Sequence, residues 1–462
     1  MKTIYHIAKQ LAWLGFLGML INSCDSFVEV SLPTSQLTSV SVFENYATAD
    51  AALTDIYAKI RDKGLLTGTN RGLSNQLGNY TDEIMPFGTP SNPSLNFYNA
   101  ALLPENTDIG TYWNTSYNQI YAANSVIEGA GASNALSDQE KKHLKGEALF
   151  IRAFLHFYLV NLFGDVPYVT GTDYQKNSSL GRLPASAVYQ NIVSDLESSI
   201  VLLNDVTPAS GRIRPDSYVS RSFLARVYLY NKSYPEAANE ASAILNKTDS
   251  YVLEPIDKAF LNNSRETIWQ LQSAQTGQNT QQGSTFIFLS GPPPLMALNP
   301  LLVNSFAATD LRSSKWIKSV SNGKETWYHA YKYKEQKITT PSKEYSIVFR
   351  LAEQYLIRAE ARAQQGDLIG AKEDLNKIRH RADLGDSNAV TQAEILSAVL
   401  QERRWELFTE YGHRFFDLKR FNQIDVALSG IKPGWNTTDM LFPLPQSELS
   451  SNPNLRPQNQ GY

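Results

Sequence analysis

The chain has 462 residues, which exceeds the roughly 250 to 300 residues at which a single hydrophobic core usually stops growing. Hydrophobic residues make up 42% of the sequence and charged residues 19%, as in an ordinary folded protein. With 42 Lys and Arg residues against 45 Asp and Glu residues, the net charge of −3 supplies no broad attraction to nucleic acid or anionic lipid. Nucleic acid is therefore not expected as a partner.

The N-terminus carries the pattern of an export signal. Lys2 and Lys9 precede an uninterrupted apolar run at residues 11–21. The run is too short to span a bilayer, which needs about 20 apolar residues, but it fits the hydrophobic region of a secretory signal. It ends at Ser23-Cys24, which resembles the lipobox of bacterial lipoproteins. We therefore expect Cys24, the only cysteine, to be lipidated, although a buried free thiol is the alternative for a lone cysteine.

Apolar periodicity predicts that most of the remaining chain is helical. Residues 53–60 carry apolar side chains with the i, i+3, i+4, i+7 spacing of an amphipathic helix. Ser137 and Glu140 form a capping box that opens a long helix, and Gly164 ends it. A further helix is predicted near residues 186–203.

Two later segments repeat one another. Their matching positions are Ala225, Ala237, Ala241 and Ile244 in the first segment, and Ala359, Ala371, Leu375 and Ile378 in the second. Small residues at such positions let two antiparallel helices approach closely, which is the physical basis of the tetratricopeptide pattern. The two copies are far apart in sequence, so they do not form a simple tandem array.

Two stretches lack this helical pattern, namely residues 67–111 and residues 248–345. The second contains a polar segment at 272–285, the helix breaker Gly291-Pro-Pro-Pro294 and scattered aromatic residues. Long loops are uncommon in compact domains unless they carry function. A binding site is therefore expected in these two regions.

No catalytic signature is found. The sequence lacks H-E-x-x-H, G-x-S-x-G and P-loop motifs, and its six histidines are too isolated to form a metal site on one helix turn. The charge-dense stretch 402–420 is interpreted as pairing on helix surfaces and helix ends rather than as an active site. We expect no enzyme, metal or cofactor. A surface hydrolase stays open, because carboxylate pairs cannot be identified from sequence alone.

Several segments together resemble one known family. Residues 402–420 (ERRWELFTEYGHRFFDLKR), 441–448 (LFPLPQSE) and 452–454 (NPN) closely resemble the C-terminal signature of the SusD/RagB family of outer-membrane nutrient-binding lipoproteins. Residues 145–167 and 350–363 and the lipoprotein start also resemble that family. The resemblance extends over nearly the whole chain, and the order of the motifs is specific.

The resemblance implies a fold dominated by α-helices, with tetratricopeptide-like helix pairs and a loop-rich ligand-binding region. It divides the chain into a signal peptide at residues 1–23, a flexible tether at 24–41 and a SusD-like domain at 42–462. Within that domain the N-terminal part covers about 42–247 and the C-terminal part about 248–462.

The resemblance also implies a location and partners. The expected protein is anchored in the outer membrane by lipid, faces the cell surface and captures an oligo- or polysaccharide for a SusC-type TonB-dependent transporter. The family carries out no catalytic step. The alternative is a helical scaffold that binds only proteins, because tetratricopeptide-like pairs often present a concave surface to peptides.

Ligand-binding residues are proposed on physical grounds. Sugars present apolar C–H faces and a hydroxyl rim, so a sugar site needs exposed aromatic rings beside hydrogen-bonding side chains. The two loop regions offer Asp82, Glu83, Phe87, Asn96, Phe97, Tyr98 and Asn99, and Phe286, Trp316, Trp327 and Tyr328. The principal candidates are Asp82, Phe97, Tyr98, Phe286, Trp316 and Trp327. For any single aromatic ring, packing into the core is the more common fate.

Overall fold

The computed structural model describes residues 39–206 and 208–462. Cys24, the signal peptide and nearly all of the expected tether lie outside these residues. Residues Phe43–Tyr462 form one compact unit. The described residues that precede it form the short helix α1, Ser39–Val42.

Helices account for most of the compact unit. In chain order they are α2 Tyr46–Asp62, α3 Leu73–Tyr80, α4 Ser94–Tyr98, α5 Thr107–Ala132, α6 Asp138–Phe163, α7 Tyr174–Asn177, α8 Ala185–Leu202, α9 Ser217–Tyr230, α10 Tyr234–Leu245, α11 Gln281–Phe286, α12 Pro300–Val303, α13 Leu311–Lys315, α14 Leu351–Gln364, α15 Leu368–Arg381, α16 Gln392–Leu407, α17 His413–Arg420, α18 Ile424–Leu428 and α19 Gln446–Ser451. The strands are β1 Ile84–Pro86, β2 Thr267–Leu271, β3 Met296–Leu298, β4 Ile317–Ser321, β5 Thr326–Ala330 and β6 Ser346–Arg350. The expected helix-dominated fold is confirmed.

Helix α6 forms the centre of the N-terminal half. Its predicted capping box is present, because the Ser137 side chain accepts from the Glu140 backbone N–H and Glu140 accepts from Ser137. Gly164 ends the helix with φ 76°, a conformation that a side chain would strain. Within the described residues α6 is the one helix long and apolar enough to cross a bilayer, but 94% of its most apolar window is buried, as in a core helix.

The two repeated segments form the predicted helix pairs. Helices α9 and α10 are the first pair, and α14 and α15 are the second. Ala225, Ala237, Ala359 and Ala371 are fully buried, and each belongs to a cluster of small and aliphatic side chains at a helix contact. Methyl groups at these positions allow close packing of the helix backbones. The tetratricopeptide-like interpretation is confirmed.

Most of the charge-dense stretch 402–420 is buried, so the expectation of pairing on helix surfaces is wrong. The expected pairing at a helix end is present, because Arg420 donates to Asp417 in the last turn of α17. Arg350 on β6 donates to Glu266 and Glu410, at 3.0 and 2.9 Å, and also contacts Glu406. Arg312 lies 2.6 Å from Glu402. These pairs connect residues far apart in sequence, so neighbour spacing on one helix could not reveal them. Their function is to join segments of the fold.

Six short strands form three two-stranded antiparallel sheets within the described residues. Strand β1 pairs with β3, β2 with β6, and β4 with β5. Strand β2 packs against α2 and α9, and β6 leads directly into α14, so the β2–β6 sheet connects the N-terminal helices to α14. The β1–β3 sheet connects the two regions in which the sequence predicts a binding site.

Candidate functional site

The two loop regions meet at one surface. Strand β1 from the first region pairs with β3 from the second, with Ile84 opposite Leu298 and Pro86 opposite Met296. We call residues 82–99 together with residues 286–298 the loop junction. It joins segments about two hundred residues apart in sequence. The β1–β3 pairing thus brings parts of the two predicted regions side by side.

Backbone hydrogen bonds hold the two sides of the loop junction together. The Phe87 N–H donates to the Leu295 carbonyl at 2.7 Å. The Asn92 side-chain amide donates to the carbonyls of both Phe87 and Leu295, at 2.7 and 2.9 Å. Gly88 approaches Pro294 so closely that a Cβ would lie 2.6 Å from the Pro294 carbonyl oxygen. Polar groups of the chain itself thus hold the two loops together.

A small apolar cluster supports this surface. Phe288, Ala297 and Trp327 are buried together, and Phe87 packs against them while half-buried. A Cβ on Gly291 would lie 2.0 Å from the Trp327 ring, so only glycine permits this contact. Trp327 is 9% exposed, and the expectation that its ring is open to solvent is wrong because the loop at Gly291 covers it.

Leu289 and Leu295 border the same surface, with 78% and 37% of their area exposed. Neither leucine is among the residues that the sequence predicts for a binding site. The sequence feature that indicates their exposure is the Gly291-Pro-Pro-Pro294 breaker between them. Such a breaker prevents these leucines from joining a helix that could bury them. Together with Phe87, they make this part of the junction apolar.

Tyr98 is the one principal candidate ring that stays partly open to solvent. It ends helix α4, and the Lys432 Nζ lies 3.9 Å from its ring centre. Lys432 is buried and donates to the Asn79 carbonyl at 2.5 Å. Burial lowers the pKa of Lys432 to about 7, while nearby Asp82 opposes that shift. Lys432 is more than three hundred residues away in sequence, so no local pattern indicated it.

The two acids at the start of the loop junction are buried. Asp82 accepts from Arg414 at 2.8 Å and lies 2.8 Å from Arg404. Burial alone would raise the pKa of Asp82, but Arg414 and Arg404 outweigh it and the pKa is lowered. Both carboxylate oxygens are thus engaged with arginines. The expectation that Asp82 offers a free hydrogen-bonding group to a ligand is wrong.

Glu83 has a different environment. Burial and the neighbouring Asp82 raise the pKa of Glu83 to about 7. One of its carboxyl oxygens accepts from the Thr409 N–H at 3.3 Å, and the other has no hydrogen-bond partner in the described structure. Above neutral pH Glu83 is charged, and this lowers the free energy of unfolding because burial disfavours the charged form.

Three further candidate rings are in the core. Phe97 is fully buried, with Tyr80 and Phe442 rings 6.2 and 6.0 Å away. Trp316 is fully buried, and its indole N–H donates to the Ile256 carbonyl at 2.8 Å. Phe286 is 6% exposed and belongs to the same cluster as Trp316. The expectation of exposed rings is wrong at these three positions, because distant segments cover them.

The remaining positions divide between surface and core. Asn96 is exposed and Asn99 is half-buried. Tyr328 is half-buried and packs against the cluster that contains Trp316, on the opposite face of β5 from Trp327. Within residues 39–206 and 208–462, no group of three or more His, Cys, Asp or Glu residues is arranged to hold a metal ion. The loop junction thus offers half-buried rings, exposed aliphatic groups and an exposed amide.

Comparisons with known proteins cover most of the chain. A model of the SusD family matches residues 275–440. A second family model, described as "Starch-binding associating with outer membrane", matches residues 28–229. The chain is similar to SusD-like protein P2 of Formosa agariphila, with 27% identity over 93% of this chain and 95% of that protein.

Solved structures share the fold. A SusD superfamily protein from Bacteroides vulgatus has a TM-score of 0.79 and 21% identity, covering 91% of this chain and 100% of that one. A protein described as a laminarin-binding SusD-like protein has a TM-score of 0.76 and 24% identity, covering 90% of this chain and 99% of that one. At this identity, the likeness to these two structures establishes the architecture.

Proposed function

The chain belongs to the SusD/RagB family, and from that membership we propose that it is a non-catalytic glycan-binding lipoprotein of the outer membrane. It would present an oligo- or polysaccharide to a SusC-type TonB-dependent transporter. The starch-binding description of one family model and the laminarin-binding description of one similar structure favour a glucan as the ligand class.

The observation that carries the proposal is the joining of both loop regions into one apolar and amide-bearing surface. Phe87 and Tyr98 supply half-buried rings, Leu289 and Leu295 supply exposed aliphatic groups, and Asn96 supplies an exposed amide. The apolar face of a pyranose ring packs on such side chains, and its hydroxyl groups bond the amide. A neutral surface of this kind suits an uncharged, hydroxyl-rich ligand.

We expect no hydrolysis at the loop junction. A retaining or inverting glycosidase needs two carboxyl groups that reach the scissile bond. Asp82 is held by two arginines and Glu83 is fully buried, so neither is available to a sugar on this surface. Incubation with laminarin or soluble starch should therefore release no reducing ends. Release that disappears in a Glu83→Gln variant would contradict this part of the proposal.

The binding test compares ring variants with a matched control. Affinity electrophoresis on laminarin and on soluble starch measures retention of the parent, Phe87→Ala and Tyr98→Ala. The loss of one stacked ring should weaken binding by roughly two- to a hundredfold. Tyr121→Ala is the control, because Tyr121 is 47% exposed on α5, outside the loop junction. Equal affinity of all four proteins would show that the ligand binds elsewhere.

The membrane anchor is tested separately. We propose that Cys24, which lies outside the described residues, becomes the lipidated first residue of the mature protein. Cys24→Ala should leave export intact and release the protein from the membrane fraction. Co-purification of the parent with its transporter from detergent would support the partner assignment. A Cys24→Ala protein that stays in the membrane fraction after high-salt washing would contradict lipid anchoring at this residue.

A further inference from the structure

A second concave site lies at the tetratricopeptide-like pairs. A cleft of about 470 Å³ opens between the α9–α10 turn, α14, α16 and the C-terminal end of α17. None of the residues of the loop junction lines it. The volume is within the roughly 300 to 1,000 Å³ typical of small-molecule sites. A cleft of this size can hold a short ligand but not the full length of a partner helix.

Aromatic side chains form much of the cleft surface. Tyr230, Tyr234 and Phe421 are all half-buried, so each ring has an exposed part. The Arg420 guanidinium lies 4.6 Å from the Phe421 ring centre and 5.5 Å from the Tyr230 ring centre. These contacts fix the two rings against a rigid planar group. The cleft therefore offers pre-positioned flat apolar surfaces.

The charges at the base of the cleft neutralise one another. Arg420 donates to Glu360 at 2.6 Å through Nη2 and to Asp417 at 2.9 Å through Nε. Glu360 is 2% exposed, so neither member of this pair presents a free charge. Lys232 lies among the lining residues as an exposed side chain. An anionic ligand would find no buried cation that is free to bind it.

Polar groups along the cleft keep unused hydrogen-bonding capacity. The side-chain amides of Gln364 and Gln423 and the hydroxyls of Tyr230 and Tyr234 make no hydrogen bond to any other residue in the described part of the chain. Gln364 and both tyrosines are half-buried rather than fully solvated. Donors and acceptors of this kind beside ring faces are what a sugar requires.

We propose that this cleft is a second binding site for a neutral saccharide of a few sugar units. The choice of a saccharide rests on the proposed function, because the chemistry of the cleft matches that of the loop junction. A peptide is the competing ligand for a concave helical surface. The mixture of half-buried rings with isolated amides, and the absence of an available charge at the base, favour the saccharide.

The experiment measures binding of maltohexaose and laminarihexaose by titration calorimetry and saturation-transfer NMR. The parent should bind at least one of the two at two sites. Tyr234→Ala and Gln364→Ala should each weaken the cleft site by roughly five- to fiftyfold. Gln365→Ala is the matched control, since Gln365 is the exposed neighbour and does not line the cleft. It should leave both sites unchanged.

Variants at the two sites separate the two proposals. If Tyr98→Ala loses one site and keeps the Gln364-dependent one, both proposals stand. If Tyr98→Ala changes nothing while Gln364→Ala weakens binding, the cleft is supported and the loop junction is not. The cleft proposal is overturned if Tyr98→Ala loses all binding while Tyr234→Ala and Gln364→Ala bind both hexasaccharides as the parent does. The cleft proposal is also overturned if neither hexasaccharide binds. The same holds if the hexapeptide Gly-Ser-Gly-Ser-Gly-Ser, used as the peptide probe, is the one ligand whose binding Gln364→Ala weakens.

Discussion

The Lys432 Nζ lies 3.9 Å from the centre of the Tyr98 ring, so a buried amine packs against the one principal candidate ring that is partly open to solvent. Lys432 also donates to the Asn79 carbonyl, which ties the ring to the end of α3. A ring held in this way has fewer orientations to lose when a ligand packs on it. Lys432 thus helps to fix the orientation of the Tyr98 ring.

The first prediction concerns the pH dependence that Lys432 creates. Burial lowers its pKa to about 7, so between about pH 7 and 10.5 the unfolded chain binds more protons than the folded one. The free energy of unfolding should therefore rise with pH in this window, by about 1 kcal/mol per pH unit from this group. Urea unfolding at pH 7, 8 and 9 should show a shallower rise for Lys432→Met.

The control for this measurement is Lys324→Met, because Lys324 is exposed in the β4–β5 turn. Its pH profile should follow that of the parent. Lys332 and Lys419, whose pKa values burial lowers to about 8 and about 7, contribute to the same rise and remain in every variant. An identical slope for Lys432→Met and the parent would contradict the assignment of a lowered pKa to Lys432.

A second prediction concerns Glu83, for which the sign is opposite. Its pKa is raised to about 7, so between about pH 4.5 and 7 the folded chain binds more protons than the unfolded one. This contribution to stability is complete below pH 4.5 and is lost as the pH rises through 7. Glu83→Gln mimics the protonated acid and should be more stable than the parent at pH 8, by on the order of 1 to 3 kcal/mol.

Thermal midpoints of parent and Glu83→Gln at pH 5 and pH 8 test this prediction. The difference between the two proteins should be small at pH 5 and should favour the variant at pH 8. Asp55→Asn is a suitable control, because Asp55 is an exposed acid on α2. A variant that is less stable than the parent at pH 8 would show that the charged form of Glu83 is favourable.

The third prediction concerns the helix pairs. Ala237 and Ala371 are fully buried at helix contacts, and leucine there has no space without displacing a neighbouring helix. Each Ala→Leu change should cost about 1 to 3 kcal/mol of unfolding free energy. Ala51→Leu, on the exposed face of α2, should have little effect. If denaturant midpoints of Ala237→Leu and Ala51→Leu coincide, the close packing at Ala237 is not real.

The fourth prediction contrasts a buried charge with an exposed one. Arg350 is 1% exposed and joins Glu266, Glu406 and Glu410. Arg350→Met leaves buried acids without their shared partner and should cost about 3 to 5 kcal/mol. Lys343→Met removes the exposed pair with Glu335 and should leave the denaturant midpoint almost unchanged. Equal midpoints for the two variants would contradict a structural role for the Arg350 cluster.

The helix pairs could be predicted from the sequence because their signal is local. The two helices of each pair are consecutive in the chain. The spacing of small residues around the turn between them therefore directly reflects the contact that the helices make. The positions of the loop regions could be predicted as well, since Gly, Pro and polar residues interrupt helical periodicity. These features need no knowledge of distant segments.

The exposure of individual rings could not be predicted. Trp316 is covered by a segment that includes Ile256, and Phe97 by one that includes Phe442. The arginines that hold Asp82 are more than three hundred residues away from it. Burial here depends on tertiary partners, which no local spacing reports. Tyr98 and Trp316 both lie in stretches that lack a helical apolar pattern, and only the fold shows that one is half-buried and the other fully buried.

The pairing of β1 with β3 has a consequence for dissecting the protein. A fragment that ends before residue 248 would keep Tyr98 but lose β3, the strand opposite Ile84, and the Leu295 carbonyl that accepts from the Phe87 N–H. Its unpaired β1 edge would be open to association with other chains. The loop junction therefore cannot be isolated as an independent folding unit. Occupancy of that surface by a ligand should protect amide hydrogens in both halves of the chain from exchange at the same time.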